Sequence, residues 1–298
     1  MKNIQQYIGY LMTRAVIAMI GIVPFRILYW KANFLRIILH KVLAYRKKVV
    51  QENLRSSFPE KSESEIRDIE RLFYKNLADV FVESIKGFSM NQKALTKRYR
   101  LVNPEITNRH YEQGKDLVIV AAHYTNWEWG HGIFSEAFKF KGVVLYKPLK
   151  NKYIDRYVNK HRSAFNSDLV SIKKTREYFL SRPNQNSAVV LGADQSPSNR
   201  KKSYIVDFLN HKTYFLHGPE KYPRFLNAPV YYLHIRRIKR GFYETELELI
   251  CDDPNEMADG AIIKKYAELM EQDIREKPEN WLWSHKRWKH KVPETSGE

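Results

Sequence analysis

The sequence predicts an α/β fold in which helices flank a central mixed sheet, preceded by an N-terminal helical membrane anchor. Three observations carry that expectation. Two short, β-branched runs, Leu117-Val-Ile-Val-Ala-Ala122 and Ala188-Val-Val-Leu-Gly192, are bounded by glycine or polar residues in the manner of buried strands. Segments of helical period lie between and around them, the alternation of a sheet covered by helices on both faces. Residues 1–51 carry nine Lys or Arg and no acid, interleaved with long apolar stretches.

Residues 7–23 are almost enough to cross a bilayer, which takes about 20 apolar residues. Arg14 sits near their middle, at a cost of about 2.5–3.5 kcal/mol, and Pro24 ends the run. A second helical run, roughly residues 25–50, sets Ile27, Leu28, Phe34, Leu35, Ile38 and Leu39 on one stripe amid basic residues. Tyr29 and Trp30 stand where an interfacial belt would hold them. Residues 1–48 are therefore expected to dip into or lie on a membrane rather than cross it cleanly, and residues 49–298 to form the α/β domain.

Ser62-x-x-Glu65 is a capping box, and Ile66, Ile69, Phe73, Leu77 and Val80 continue its helix to about residue 88. Strands are expected at 115–123, 143–146 and 187–194, with helices around 154–164 and 175–181. Residues 228–238 and 243–250 alternate about Lys239-Arg-Gly241 as a hairpin. Residues 258–275 form a last amphipathic helix. The sequence holds no internal repeat, glycine-rich phosphate loop or dinucleotide fingerprint.

An apolar content of 43% and 13% aromatics belong to a globular chain. The single cysteine, Cys251, rules out an internal disulfide and a cysteine-rich metal site. The formal charge of +18 favours an anionic partner. Because the N-terminal cations accompany apolar anchors rather than a polar groove, that partner is expected to be a membrane or phosphate-bearing lipid, not nucleic acid.

The chemistry-bearing residues cluster after the strands. His123-Tyr-Thr-Asn-Trp-Glu128 places a histidine at a strand's C-terminal end, where open α/β sheets bind ligands. Imidazole is neutral near pH 7 and accepts a proton from a hydroxyl, while a carboxylate on its other nitrogen fixes the tautomer. An isolated pair of this spacing is ordinarily a satisfied histidine and a solvated acid. Ala193-Asp194-Gln195 delivers an acid and an amide after a second apolar strand, to the same edge of the sheet. Tyr146-Lys147-Pro148, Arg162 and Arg200-Lys-Lys202 add cations. Trp281-Leu-Trp-Ser-His-Lys-Arg-Trp288 reads as core with partial membrane contact.

In this order, His123-x4-Glu128, Tyr146-Lys-Pro-Leu-Lys-Asn with Arg162, Ala193-Asp-Gln195 and the tryptophan-rich tail resemble a known family. So does the opening Tyr45-Arg-Lys, Asn53-Leu and Phe58-Pro-Glu60. The chain is similar, from about residue 8 to 289, to the bacterial lipid A biosynthesis (lauroyl/myristoyl) acyltransferases. These lie within the glycerolipid/lysophospholipid acyltransferase superfamily, and the resemblance implies a glycerolipid acyltransferase-like sheet. It also implies a membrane-associated enzyme on the cytoplasmic face of the bacterial inner membrane, moving an acyl chain from acyl carrier protein to a hydroxyl of a phosphorylated lipid A precursor. His123 is then the general base and Glu128 its partner, with Arg162, Asp194, Gln195, Asn126 and Lys147 serving the substrate. No cofactor or metal is implied, since a thioester is already activated. Two departures stand out. The wider superfamily usually has aspartate at the position of Glu128, and its Glu-Gly-Thr-Arg phosphate motif is missing. Another lipid acceptor (a lysophospholipid, amino-acid lipid or glycolipid) is the alternative reading, and a non-catalytic membrane-surface protein is the alternative of another class.

Overall fold

The computed structural model describes residues 2–134, 138–181 and 186–293. Helix α1 (Lys2–Ile22) and α2 (Phe25–Ile37) meet at Pro24. The second helix does not run on to Val50 as its apolar stripe suggests. It passes into a π turn (Ile38–Val42), breaks, and resumes as α3 (Lys47–Ser57). At the break Ala44 and Arg46 take left-handed backbone, with φ of 43° and 51°. Tertiary hydrogen bonds hold them there: Tyr74 donates to the Tyr45 carbonyl at 2.7 Å, and Arg46 to the Ser284 carbonyl at 2.9 Å. Local propensity yields where such bonds over-determine the backbone.

Helix α4 (Glu63–Gly87) starts at the expected capping box. Ser62 Oγ accepts from Glu65 N, and the Glu65 carboxylate accepts from Ser62 N at 2.8 Å. Short α5 (Gln92–Thr96) leads to edge strand β1 (Tyr99–Leu101), and α6 (Asn108–Glu112) to β2 (Leu117–Ala121). Next come β3 (Lys141–Tyr146), α7 (Lys152–Arg162), β4 (Ser167–Ser171), α8 (Thr175–Ser181) and β5 (Ser187–Gly192). A separate antiparallel pair, β6 (Ser203–Phe208) and β7 (His211–Leu216), precedes α9 (Gly218–Leu226). The hairpin β8 (Val230–Lys239) and β9 (Phe242–Cys251), then α10 (Ala261–Glu276), complete the fold.

The main sheet has the order β1-β9-β8-β2-β5-β3-β4. Five strands from β8 to β4 run parallel, while β9 is antiparallel to β8 and β1 parallel to β9, so the sheet is mixed. Every residue of β2 is buried, as a central strand covered on both faces must be. The chain signals for β1, β4 and the β6–β7 pair were weak: three residues, a half-polar strand, and a pair closed by left-handed Leu209 and Asn210.

Among the described residues, no helix is long and apolar enough to cross a membrane. The N-terminal helices do not form a separate anchor but pack on the domain, α1 on α4 and α7, and α2 on α4. Arg14, the residue that interrupts the apolar run, lies over the rings of Tyr10 and Tyr157. Lys86 of α4 is buried and donates to the carbonyls of Gly21 and Val23, closing the α1 C-terminus that Pro24 leaves open. The outward faces are apolar nonetheless, with Ile22 85%, Trp30 72% and Phe34 62% exposed.

Glu83 knits this end together. Fully buried in α4, it accepts from Tyr29 (2.7 Å), Tyr243 (2.6 Å) and Asn126 (2.8 Å), groups carried by α2, β9 and the segment after β2. Burial pushes its carboxyl above the usual range, against the pull of the two tyrosine hydroxyls. One turn earlier, buried Asp79 accepts from Arg237 (2.6 Å) and Arg240 (2.9 Å). Glu83→Ala leaves two buried donors, Tyr243 and Asn126, and the part-buried Tyr29 unpaired. With about 1–3 kcal/mol at stake for each such group, unfolding in urea should show a loss of roughly 3 kcal/mol or more. An unchanged midpoint would show that the carboxylate holds nothing.

Candidate active site

Strands β2 and β5 pair in parallel with Ala121 facing Gly192. His123 and Asp194 each stand two residues beyond that pair, so the register of the sheet brings them together. Asp194 Oδ1 lies 2.6 Å from His123 Nδ1, and Oδ2 accepts from the His123 backbone N–H (3.0 Å) and from Trp281 Nε1 (2.9 Å). Beyond His123 the chain turns at left-handed Thr125 (φ 47°), whose N–H donates to the Asn280 carbonyl at 2.8 Å, and Tyr124 bridges to Trp281. Trp281 and Trp283 are therefore core, not membrane contacts, and Trp281 completes the site. Gly192 leaves room for the imidazole, since a side chain there would stand 3.3 Å from His123 Cε1.

Burial of Asp194 favours its neutral form, but the facing imidazole and hydrogen bonds from His123 and Trp281 hold the carboxyl down at about 2. Burial likewise opposes protonation of His123. Asp194, and more weakly Glu128, outweigh it, and the imidazole is raised above its ordinary value. An ionised Asp194 fixes the tautomer. Nδ1–H donates to the carboxylate, and the lone pair on Nε2 accepts from Gln195 Nε2 at 3.2 Å.

The carboxylate on Nδ1 is thus Asp194, where the sequence reading had Glu128. The 3₁₀ segment Trp127–Phe134 carries Glu128 towards the end of α7, and its Oε2 meets Arg162 Nη2 at 2.5 Å. Arg162 pairs with Glu128, and Gln195 lies against His123 Nε2. Asn126 does not reach His123, because it is drawn into the core, donating to Glu83 and accepting from the Trp129 N–H at 3.2 Å. Lys147 is exposed after β3 and lines neither cavity at the site. Trp281 stood out in the tryptophan-rich tail, but not as a partner of Asp194; Glu83 and Tyr266, whose hydroxyl donates to the Ala121 carbonyl at 2.9 Å, had no local signal.

A cavity of about 250 Å³ opens at His123, Glu128 and Arg162 and runs between Phe134, Val144, Val190, Leu233 and Ile235. His131 lines it as a neutral ring. Burial, with Arg162 nearby, pushes it down to about 3, and Nδ1 bonds the Glu128 carbonyl at 2.6 Å. A groove of about 430 Å³ shares Trp127 and Glu128 with the cavity and reaches Gln195. Two larger clefts, of about 1090 and 1300 Å³, contain none of the His123, Asp194, Glu128 or Arg162 groups. Among the described residues no group of three or more His, Cys, Asp or Glu is placed to hold a metal ion. The arrangement is an oriented proton acceptor at the mouth of an apolar cavity, beside a carboxylate–guanidinium pair. It suits removal of a proton from a hydroxyl that faces an apolar substrate.

NMR titration of labelled histidine should find His123 protonating above the ordinary 6.5. In Asp194→Asn the charge that raises it is gone while burial remains, so its titration should move to lower pH. A shift upward, or none, would contradict the pairing.

A family model described as bacterial lipid A biosynthesis acyltransferase matches residues 2–290. The chain is 20% identical over 273 residues to a lipid A biosynthesis palmitoleoyltransferase of Escherichia coli (strain K12), covering 89% of this chain and 86% of that one. It is similar to the same extent to a lipid A biosynthesis acyltransferase of Shigella flexneri. With a family match over nearly its whole length, the chain belongs to the bacterial lipid A biosynthesis acyltransferase family and is an acyltransferase.

Proposed function

We propose that this enzyme transfers a long-chain acyl group from acyl carrier protein to a hydroxyl of a phosphorylated lipid A precursor, with His123 as general base. The single observation that carries the reading is the His123–Asp194 pair, which leaves a basic Nε2 at the mouth of the apolar cavity. The acceptor hydroxyl takes the place of the Gln195 amide on Nε2, gives up its proton there, and its oxygen attacks the thioester carbonyl. Asp194 and Glu128 stabilise the imidazolium that forms. The displaced Gln195 amide and Arg162 are the donors at hand for the tetrahedral oxyanion. When the intermediate collapses, the C–S bond breaks and the thiolate takes the proton back from Nε2, so the base is regenerated.

No enzyme nucleophile is required. Cys251 ends β9, lines neither cavity at the site, and its thiol is pushed up to about 11 by burial. The reaction therefore runs through a ternary complex. The name of the E. coli relative, a palmitoleoyltransferase, supports a long acyl chain, and the apolar cavity offers it a lining. The +18 charge supports an acidic carrier and a phosphorylated acceptor.

Residues 1–48 present the enzyme to the cytoplasmic face of the inner membrane, lying in the interface rather than crossing it, with residues 49–298 carrying the chemistry. The exposed Trp30, Phe34 and Ile22 beside nine cations and no acid in the first 51 residues support this attachment.

Turnover of an acyl-carrier-protein donor with a lipid A precursor should fall about 10²–10⁴-fold in His123→Ala, with binding to vesicles intact. An unchanged rate sinks the assignment, and ping-pong kinetics or a trapped acyl-enzyme would replace the ternary complex with a covalent route. In flotation with anionic vesicles, Trp30→Glu combined with Phe34→Glu should lose most of its bound fraction. Equal flotation of the variant and the parent chain would remove these helices as the attachment.

A further inference from the structure

The 430 Å³ groove reaches His123 through Gln195 and shares Trp127 and Glu128 with the apolar cavity. Its lining is mixed: apolar Leu77, Val80 and Phe81 of α4, and polar Arg46, Ser284 and His285. Phe81 is exposed, and so are Val42, Leu43 and Tyr45 on the chain leading to Arg46, so apolar surface continues from the groove onto the N-terminal segment.

Three observations mark the polar lining. His285 Nδ1 is buried without a hydrogen-bond partner among the described residues. Burial holds that imidazole down at about 4, so at neutral pH it is an uncharged ring with one unmet polar atom. Arg46 is exposed, takes part in no ion pair among the described residues, and spends one N–H on the Ser284 carbonyl. It does so from left-handed backbone, two residues after left-handed Ala44, a conformation that non-glycine residues keep only where surrounding bonds enforce it.

Resting on the acyl-transfer reading above, we infer that this groove is the acceptor's entry: a phosphorylated, hydroxyl-bearing lipid lays its chains along the α4 residues, its phosphate on Arg46 and a polar head atom on His285, and so delivers its hydroxyl to His123 through the groove while the donor's acyl chain takes the apolar cavity. The arrangement separates the two substrates without moving either strand. Arg46 supplies the charge-assisted contact, and His285 the neutral one that sets the head's orientation.

The test uses the full chain, an acyl-carrier-protein donor, and a purified lipid A precursor with and without its phosphates. His285→Ala should raise the acceptor KM roughly tenfold, the weight of one hydrogen bond, and leave the donor KM alone. His285→Asn, which keeps a polar atom, should recover most of it and guards against a folding defect. Arg46→Gln should raise the acceptor KM with the phosphorylated lipid, and this loss should vanish with the dephosphorylated one. Arg46→Lys should restore part of it. An unchanged acceptor KM in both Ala and Gln variants, or a donor KM that rises in step, overturns the inference while leaving the transferase reading intact. A parent chain that fails to acylate the precursor at all removes both.

Discussion

The hydrogen bond between His123 Nδ1 and Asp194, 2.6 Å long, depends on one constraint: the parallel register of β2 and β5. Because Ala121 faces Gly192, the residues two steps further on face each other across the strand ends. A slip of one residue would turn each side chain to the other face of its strand. The rest of the site is built on that bond. An ionised Asp194 fixes the tautomer, and the tautomer leaves the Nε2 lone pair free to accept a hydrogen bond, as it does from Gln195. Trp281 and the His123 backbone N–H satisfy the second carboxylate oxygen, which is what a buried charge requires to stay charged.

Around this pair the protein separates tasks that a single carboxylate would have to combine. Asp194 is buried and orients the ring, whereas Glu128 is partly exposed, paired with Arg162, and adds only its field to the imidazole. Glu128 and Trp127 form a wall shared by two openings, one apolar and closed by the sheet, the other half polar and open towards the N-terminal helices. On the proposed mechanism, His123 between two such openings would have access to two amphipathic reactants at once, as a direct transfer demands.

The N-terminal helices enter the site's stability through buried polar groups. Lys86 closes the end of α1, Asp79 receives two arginines from the β8–β9 hairpin, and Glu83 ties Tyr29 of α2 to Asn126 three residues from the base. Such groups are costly to leave unpaired, so each fixes one arrangement of helices and loop. The outer faces of the same helices are free to be apolar and basic because the polar work is done on the inner side.

Much of the framework was legible in the chain. The central strands, the capped α4 helix and the β8–β9 hairpin follow from local period and turn chemistry, and His123 and Asp194 stood out because apolar runs end on them. Arg162 and Gln195 were found by their order along the chain. What the sequence could not assign were partners. Glu128 is five residues from His123 yet bonds Arg162, and Asn126, in the same motif, turns into the core. Trp281, Glu83 and His285 reach the site from chain distances over which no periodicity acts. Side-chain identity and local spacing thus determined which residues are chemically able, since strands and helices are short-range structures. Only the tertiary structure decided which carboxylate meets which nitrogen, because strand pairing and helix docking bring together groups that the covalent chain keeps tens to hundreds of residues apart.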